Sequence, residues 1–225
     1  MDNNTSMIGT PLLSSEELQV LEEIGNPISY TVNSVLFGEG EETKFALLIR
    51  KGLVRVQTGS PARIVAIRGA GEMVGEMAAA RHRPRSASVF AMTEVDALHL
   101  PAGLWLQFLY DHPRAMHAQL VAAEERLEEA TRKSVDSFLG VEQRLAKVLV
   151  EFEAKGAGTV IDGRFAVQLS QRELADVVGA SRESVVQVIR ALKGREVVST
   201  GRQATIIEDL EALRSIARGE LTASP

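Results

Sequence analysis

Two helix-starting signals stand eleven residues apart between Leu169 and Ile207, with a glycine between them. Ser170-Gln171-Arg172-Glu173 has the spacing of a capping box, in which a serine and a glutamate satisfy each other's backbone N–H groups. The helix it starts carries Leu174, Val177 and Val178, and Gly179 suits a left-handed residue that ends it. Ser181 can cap a second helix, Arg182 to Lys193, whose buried face would be Val185, Val188, Ile189 and Leu192. Val197 to Ile207, turning at Gly201-Arg202, reads as a hairpin. This order restricts the segment to two short helices across a tight turn with a β-wing behind them.

Such a unit is the winged helix-turn-helix, whose second helix places its N-terminal residues against base edges in the major groove. Arg182, Glu183 and Gln187 point outward on that helix. Arginine suits guanine, glutamate accepts from the cytosine amino group and glutamine binds adenine, each good contact giving ~1–3 kcal/mol of discrimination. Ser170, Arg172, Lys193 and Arg202 suit phosphate contacts, which position without reading sequence, and Ser181 caps the helix at the same surface. The competing reading is an ordinary helical hairpin with a solvated charged face. It leaves the ordered caps, turn, Arg-Glu pair and hairpin without a common cause.

The net charge of −5 opposes a nucleic-acid partner only if it is spread evenly. From Leu139 onward there are 12 basic and 12 acidic residues, and from Arg182 to Arg202 five basic against two acidic. The acidic excess lies in the first 138 residues, so the charge distribution permits DNA binding. No cysteine is present, which excludes disulfides, iron–sulfur clusters and cysteine-ligated metal. Met1 to Thr10 lacks the basic start and apolar core of a signal peptide, and no apolar run approaches the roughly 20 residues that span a bilayer. A cytoplasmic protein without a membrane partner is expected.

Upstream, Ser14 to Ile24 reads as a helix capped by Ser14 and Glu17. From Ile28 to Leu100, short runs rich in Val, Ile, Leu and Phe alternate with Gly, Pro and Ser (Val35–Phe37, Phe45–Ile49, Leu53–Val56, Ile64–Ile67, Ser88–Met92 and Val95–Leu100). That texture predicts a small β-barrel or sandwich. Leu104 to Leu109 reads as a short helix, and Pro113 opens a long one. Along it Met116, Ala123 and Ala130, and Leu120, Leu127 and Ser134, repeat every seven residues. This periodicity fits a dimer seam and a core-packed helix equally. Beyond Phe138-Leu139-Gly140, Val141 to Phe152 is again helical, and Thr159 to Leu169 reads as a hairpin about Asp162-Gly163.

Gly69 to Ala87 lies between strands. Gly75, Glu76 and Met77 are followed ten residues after Gly75 by Arg85, Ser86 and Ala87. A glycine lets backbone approach a ligand, an arginine and a hydroxyl can hold a phosphate, and a glutamate can accept from a sugar hydroxyl. A polar loop satisfies the same residues.

Leu169 to Ala175 and Val178 to Val185 closely resemble the helix-turn-helix of the catabolite activator (cyclic AMP receptor)/FNR family. The likeness runs over nearly the whole chain. It implies an α+β protein: an N-terminal jelly-roll type β-barrel over 1–110, a dimerisation helix and hinge over 111–138, and a winged helix-turn-helix over 139–225. Gly75 to Ala87 then resembles the family's phosphate-binding cassette, which implies that Glu76 holds a ribose and that Arg85 and Ser86 hold a cyclic phosphate, as in cyclic AMP binding. Gly40 and Gly52 resemble its barrel-turn glycines.

Three positions depart from the family. Gln187 stands where an arginine is usual. The Glu76–Arg85 loop is one residue shorter and contains Arg81-His82-Arg83-Pro84. Counting back from Phe138-Leu139, Glu129-Ala130 replaces the Thr-Ser pair that meets adenine, and Glu129 can accept from a base amino group. The resemblance implies a homodimeric regulator of palindromic double-stranded DNA, with RNA polymerase as a further partner. A different nucleotide, an inactive pocket in a constitutive DNA binder, and a ligand-binding subunit without DNA remain as alternatives. An enzyme is not expected: His82, His99, His112 and His117 lack metal-ligand spacing, and neither a nucleophile elbow nor a Walker loop occurs.

Overall fold

The computed structural model describes residues 13–222, with Pro61 and His82 excepted; Met1 to Thr10 and His82, whose sequence is considered above, lie outside the described residues. The chain forms two compact units that divide after Leu127.

In the first unit, helix α1 (Ser15–Ile24) precedes strands β1 (Asn26–Tyr30), β2 (Val35–Phe37), β3 (Phe45–Lys51), β4 (Val54–Thr58), β5 (Arg63–Arg68) and β6 (Met73–Val74). Helix α2 (Glu76–Arg81) leads to β7 (Ser88–Ala91), β8 (Val95–Pro101), helix α3 (Ala102–Asp111) and the long helix α4 (Pro113–Asp136), within which the division falls. The strands form two antiparallel sheets, in the orders β1-β8-β3-β6 and β2-β7-β4-β5. The sheets are open, so this is a jelly-roll-like sandwich and not a closed barrel.

Strand period explains how β3 serves two cores. Leu47 and Ile49 join Phe37, Val54, Val89 and Ala97 in one core, while Ala46 and Leu48 join Leu21, Leu100, Trp105 and Phe108 in another. The first core fills the sandwich and the second packs the helices onto its outer face. Strand β1 went unread in the sequence because Pro27 weakens its pattern; at the sheet edge proline costs no ladder bond. Helix α2 was also unread. On α4, Ala115 and Ala118 are buried, whereas the heptad residues Met116, Leu120 and Leu127 are 40%, 57% and 68% exposed. The repeated stripe is therefore not covered by this chain's own core.

The second unit begins in α4 and continues with α5 (Val141–Ala154), β9 (Thr159–Ile161), β10 (Arg164–Val167), α6 (Gln171–Val178), α7 (Arg182–Gly194), β11 (Val198–Gly201), β12 (Ala204–Ile207) and α8 (Leu210–Ala217). Its sheet runs β11-β12-β10-β9, joining the predicted hairpin at Asp162-Gly163 to the wing. Leu145, Leu149, Leu174, Leu192 and Leu213 are fully buried at its centre. Among the described residues no helix is long and apolar enough to cross a membrane.

One ion pair ties the ends of the first unit together. Arg114 at the start of α4 donates to Glu17 of α1 at 3.1 and 2.7 Å, while Glu17 also accepts from the Ser14 amide at 2.7 Å in the expected capping box. Burial disfavours the Glu17 carboxylate, but the Ser14 amide and the Arg114 guanidinium more than offset it, and its pKa lies below the ordinary value. Stability from a depressed carboxyl pKa is complete above the unfolded-state value and is lost as pH falls through the folded one. Glu17→Gln is expected to cost about 1–2 kcal/mol near neutral pH, from bonds to a charged acceptor. The difference from wild type should shrink in acid below the normal glutamate range, as chemical denaturation at the two pH values would show.

Candidate nucleic-acid interface and ligand cassette

The helix pair is built by its caps. Ser170 accepts from Glu173 N at 3.2 Å and Glu173 accepts from Ser170 N at 2.9 Å. Gly179 adopts φ 68°, ψ 44°, and its amide bonds to Asp176 O while Ala180 N bonds to Ala175 O. That paired closure stops α6 and sets the turn. Ser181 then accepts from Ser184 N at 3.1 Å and starts α7. Val185, Val188, Ile189 and Leu192 are buried, so the opposite face is fixed toward solvent.

That face exposes Arg182, Glu183 and Gln187, and these side chains have no intramolecular partner among the described residues. Arg190 lies two turns after Glu183 on the same face and is also exposed. It was not singled out from sequence, although its spacing from Glu183 and Gln187 could have placed it there. Ser181, Arg172 and Arg202 are exposed, and Ser170 is half-buried. Lys193 reaches Thr200 on β11 at 3.0 Å, linking the end of α7 to the wing. The wing turns at Arg202-Gln203, one residue later than expected, because Gly201 pairs with Ala204 and Gln203 takes the positive φ of 53°.

In the other unit, Gly75, Glu76 and Arg85 come together. Arg85 is 3% exposed, and its guanidinium donates to Thr43 Oγ1 at 2.6 Å, Gly75 O at 2.6 Å and Phe45 O at 2.7 Å. It lies over the rings of Phe37 and Phe45, 4.0 and 4.6 Å from their centroids. Burial lowers its pKa, with Glu76 and Glu41 opposing that shift. The Arg85 backbone is zipped to the loop before β3, accepting from Gly40 N and donating to Glu41 O.

Glu76 begins α2 and forms an ion pair with Arg126 of α4, which also donates to Met73 O at 2.7 Å. Arg126 was missed in the sequence, yet it is the one basic residue within Glu124 to Glu129. Met77 is 55% exposed and, with Glu76, Trp105, Leu109, Ala122 and Arg126, lines a cavity of about 230 Å³. Ser86 is exposed, its carbonyl accepting from Thr58 Oγ1, and Ala87 is half-buried. Glu129 belongs to the second unit, where its carboxylate accepts from Lys133 Nζ at 2.7 Å.

Two family models match the chain, one in each part. A family model described as a cyclic nucleotide-binding domain covers residues 27–112, and one described as a Crp-like helix-turn-helix domain covers 143–216. The chain belongs to the CRP/FNR family of transcription regulators. It is 29% identical to the cyclic AMP receptor protein of Thermus thermophilus over 95% of this chain and 99% of that one. It is 28% identical to the CRP-like cAMP-activated global transcriptional regulator of Mycobacterium tuberculosis over 85% and 88% of the two chains. The structure of the c-di-GMP-responsive global regulator CLP of Xanthomonas campestris shares the fold, with a TM-score of 0.75 at 20% identity, covering 86% of this chain and 99% of that one.

This regulator is a DNA-binding transcription factor with a cyclic-nucleotide-binding-type domain, and its family is not one of enzymes. The packing around Arg85 depends on one glycine. Gly75 has φ +78°, and a Cβ there would stand 2.2 Å from Arg85 Nη1 and 3.1 Å from Phe37. Strain at such a φ alone costs on the order of 1–3 kcal/mol. Gly75→Ala is therefore expected to lower stability by at least that much and to displace the Arg85 guanidinium, which thermal melts and the Phe37 ring resonances would report.

Proposed function

We propose that the regulator is a homodimer whose DNA affinity is set by a cyclic nucleotide, with cyclic AMP as the effector, bound at Gly75, Glu76, Met77, Arg85, Ser86 and Ala87. The carrying observation is Arg85, a buried cation hydrogen-bonded to neutral oxygens alone. A buried charge without a direct counter-ion is costly, and an anionic cyclic phosphate would supply one. Glu76 would accept from a ribose hydroxyl, for which Arg126 must share or release it. The names of the Thermus and Mycobacterium relatives support cyclic AMP.

The exposed heptad face of α4 supports pairing with a second copy, giving a ligand domain over 1–110, a dimer helix and hinge over 111–138 and a DNA-binding domain over 139–225. Two recognition helices about 34 Å apart would then match a palindromic operator. Arg182, Glu183 and Gln187 read bases; Ser170, Arg172, Lys193 and Arg202 hold phosphates, with Ser181 at the same surface. RNA polymerase is the natural further partner of a regulator so placed, and the cytoplasm its compartment.

Ligand at about a hundred times its Kd should add ~2.7 kcal/mol of stability. Cyclic AMP is therefore expected to raise the melting temperature and change operator affinity in wild type, and to do neither in Glu76→Ala. Cyclic GMP and c-di-GMP serve as competitors. A regulator unmoved by all three in melting and in DNA affinity would be a constitutive binder with a non-functional pocket.

Gln187 sets the second expectation. Sites selected from random duplexes should prefer adenine at the base pair it meets, and Gln187→Arg should shift that step to guanine, a change of ~1–3 kcal/mol in discrimination. An unaltered guanine preference in wild type would defeat this assignment.

A further inference from the structure

Arg144 lies on α5, outside the reading helices, and is half-buried. Its Nη1 donates to Ser137 O at 3.0 Å and Leu139 O at 2.8 Å, its Nε to Val178 O at 3.1 Å and its Nη2 to Gly179 O at 3.3 Å. Two of these carbonyls belong to the hinge after α4. The other two close α6 and enter the turn before α7.

Carbonyls at a helix C-terminus lack intrahelical amide partners and carry the negative end of the helix dipole, so a cation is favoured there. The amides of Gly179 and Ala180 serve Asp176 and Ala175, which leaves the Val178 and Gly179 carbonyls to a donor from elsewhere. A guanidinium presents N–H groups from three nitrogens in one rigid plane, whereas an ammonium is a compact point donor on a flexible stem. Arginine can span both carbonyl pairs at once; lysine cannot.

A turn held in this way fixes where the reading helix starts. Ser181, three residues after Val178, caps α7, and Arg182 opens the base-reading stripe. A second tie, Lys147 Nζ to Asp136 Oδ1 at 2.6 Å, fastens the end of α4 to α5 without touching the turn. The hinge thus has one anchor of its own and another that it shares with the turn.

We propose that Arg144 is a positioning residue for DNA recognition, joining the hinge carbonyls of Ser137 and Leu139 to the helix-turn-helix turn at Val178 and Gly179. The reading stripe then follows the hinge conformation through a single side chain. This rests on the DNA-binding role of α7, but half of its test needs no DNA.

The full-length chain is compared with Arg144→Met, Arg144→Lys and Lys147→Met. Without DNA, hydrogen exchange at the bonded amides of the turn, Gly179, Ala180 and Ser184, should quicken about tenfold or more in both Arg144 variants, the scale of lost bonds from a charged donor. It should stay at the wild-type rate in Lys147→Met. With cyclic AMP present, both Arg144 variants should bind a duplex selected by the wild type about tenfold more weakly. Binding to an unrelated duplex and the salt slope should not change, since no phosphate contact is removed.

Wild-type exchange at the turn in Arg144→Met would overturn the proposal. So would wild-type behaviour in Arg144→Lys, which would mean that charge alone suffices, or a salt slope reduced by about one, which would make Arg144 a phosphate contact. If Arg144→Met does not fold, Arg144→Lys decides. A wild type that selects no duplex would count against the DNA-binding reading, and the exchange rates would still decide the coupling.

Discussion

Arg85 carries a charge into the interior of the N-terminal sandwich, and the local structure is arranged around that cost. Two phenylalanine rings face the guanidinium, three neutral oxygens accept from it, and the Gly40-Glu41 loop zips to its backbone. Gly75 has to be glycine because the guanidinium occupies the space of a side chain. Taking a cation out of water is costly, so the buried Arg85 is a feature that packing alone would not select. Its placement beside Glu76, which Arg126 of α4 also engages, puts the cassette and the long helix into one polar network.

The DNA-reading unit solves a different problem with similar economy. Caps at Ser170, Gly179 and Ser181 settle where two short helices begin and end, and a leucine-rich core settles which faces turn outward. The remaining freedom is the position of the turn, which Arg144 constrains from α5. The exposed side chains of α7 therefore take their geometry from the buried and main-chain contacts behind them.

Much of this was legible in the sequence because it rests on local rules. Capping boxes, the glycine stop and the period-2 and heptad patterns depend on neighbours within a few residues, and Ser14, Ser170, Gly179 and the α4 stripe could all be read from them. What escaped depends on partners far along the chain. Arg126 meets Glu76 fifty residues away, and Arg144 meets Val178 across thirty-four, so no local pattern marks either. Strand β1 escaped because an edge position tolerates proline, and α2 because six residues are too few to show a helical period. The wing turn moved one residue because Gln203, and not the neighbouring glycine, supplies the left-handed conformation.

The two faces of α4 have a consequence for how the regulator would be titrated. One face carries Arg126, which engages Glu76 in the cassette; another carries the bare stripe of Met116, Leu120 and Leu127. If that stripe closes on a second copy, self-association and ligand occupancy act on the same rigid element, and their free energies are reciprocally linked. Ligand affinity would then depend on protein concentration. Dilution would then shift the response to ligand, and the cellular copy number would be an input to the switch alongside the nucleotide.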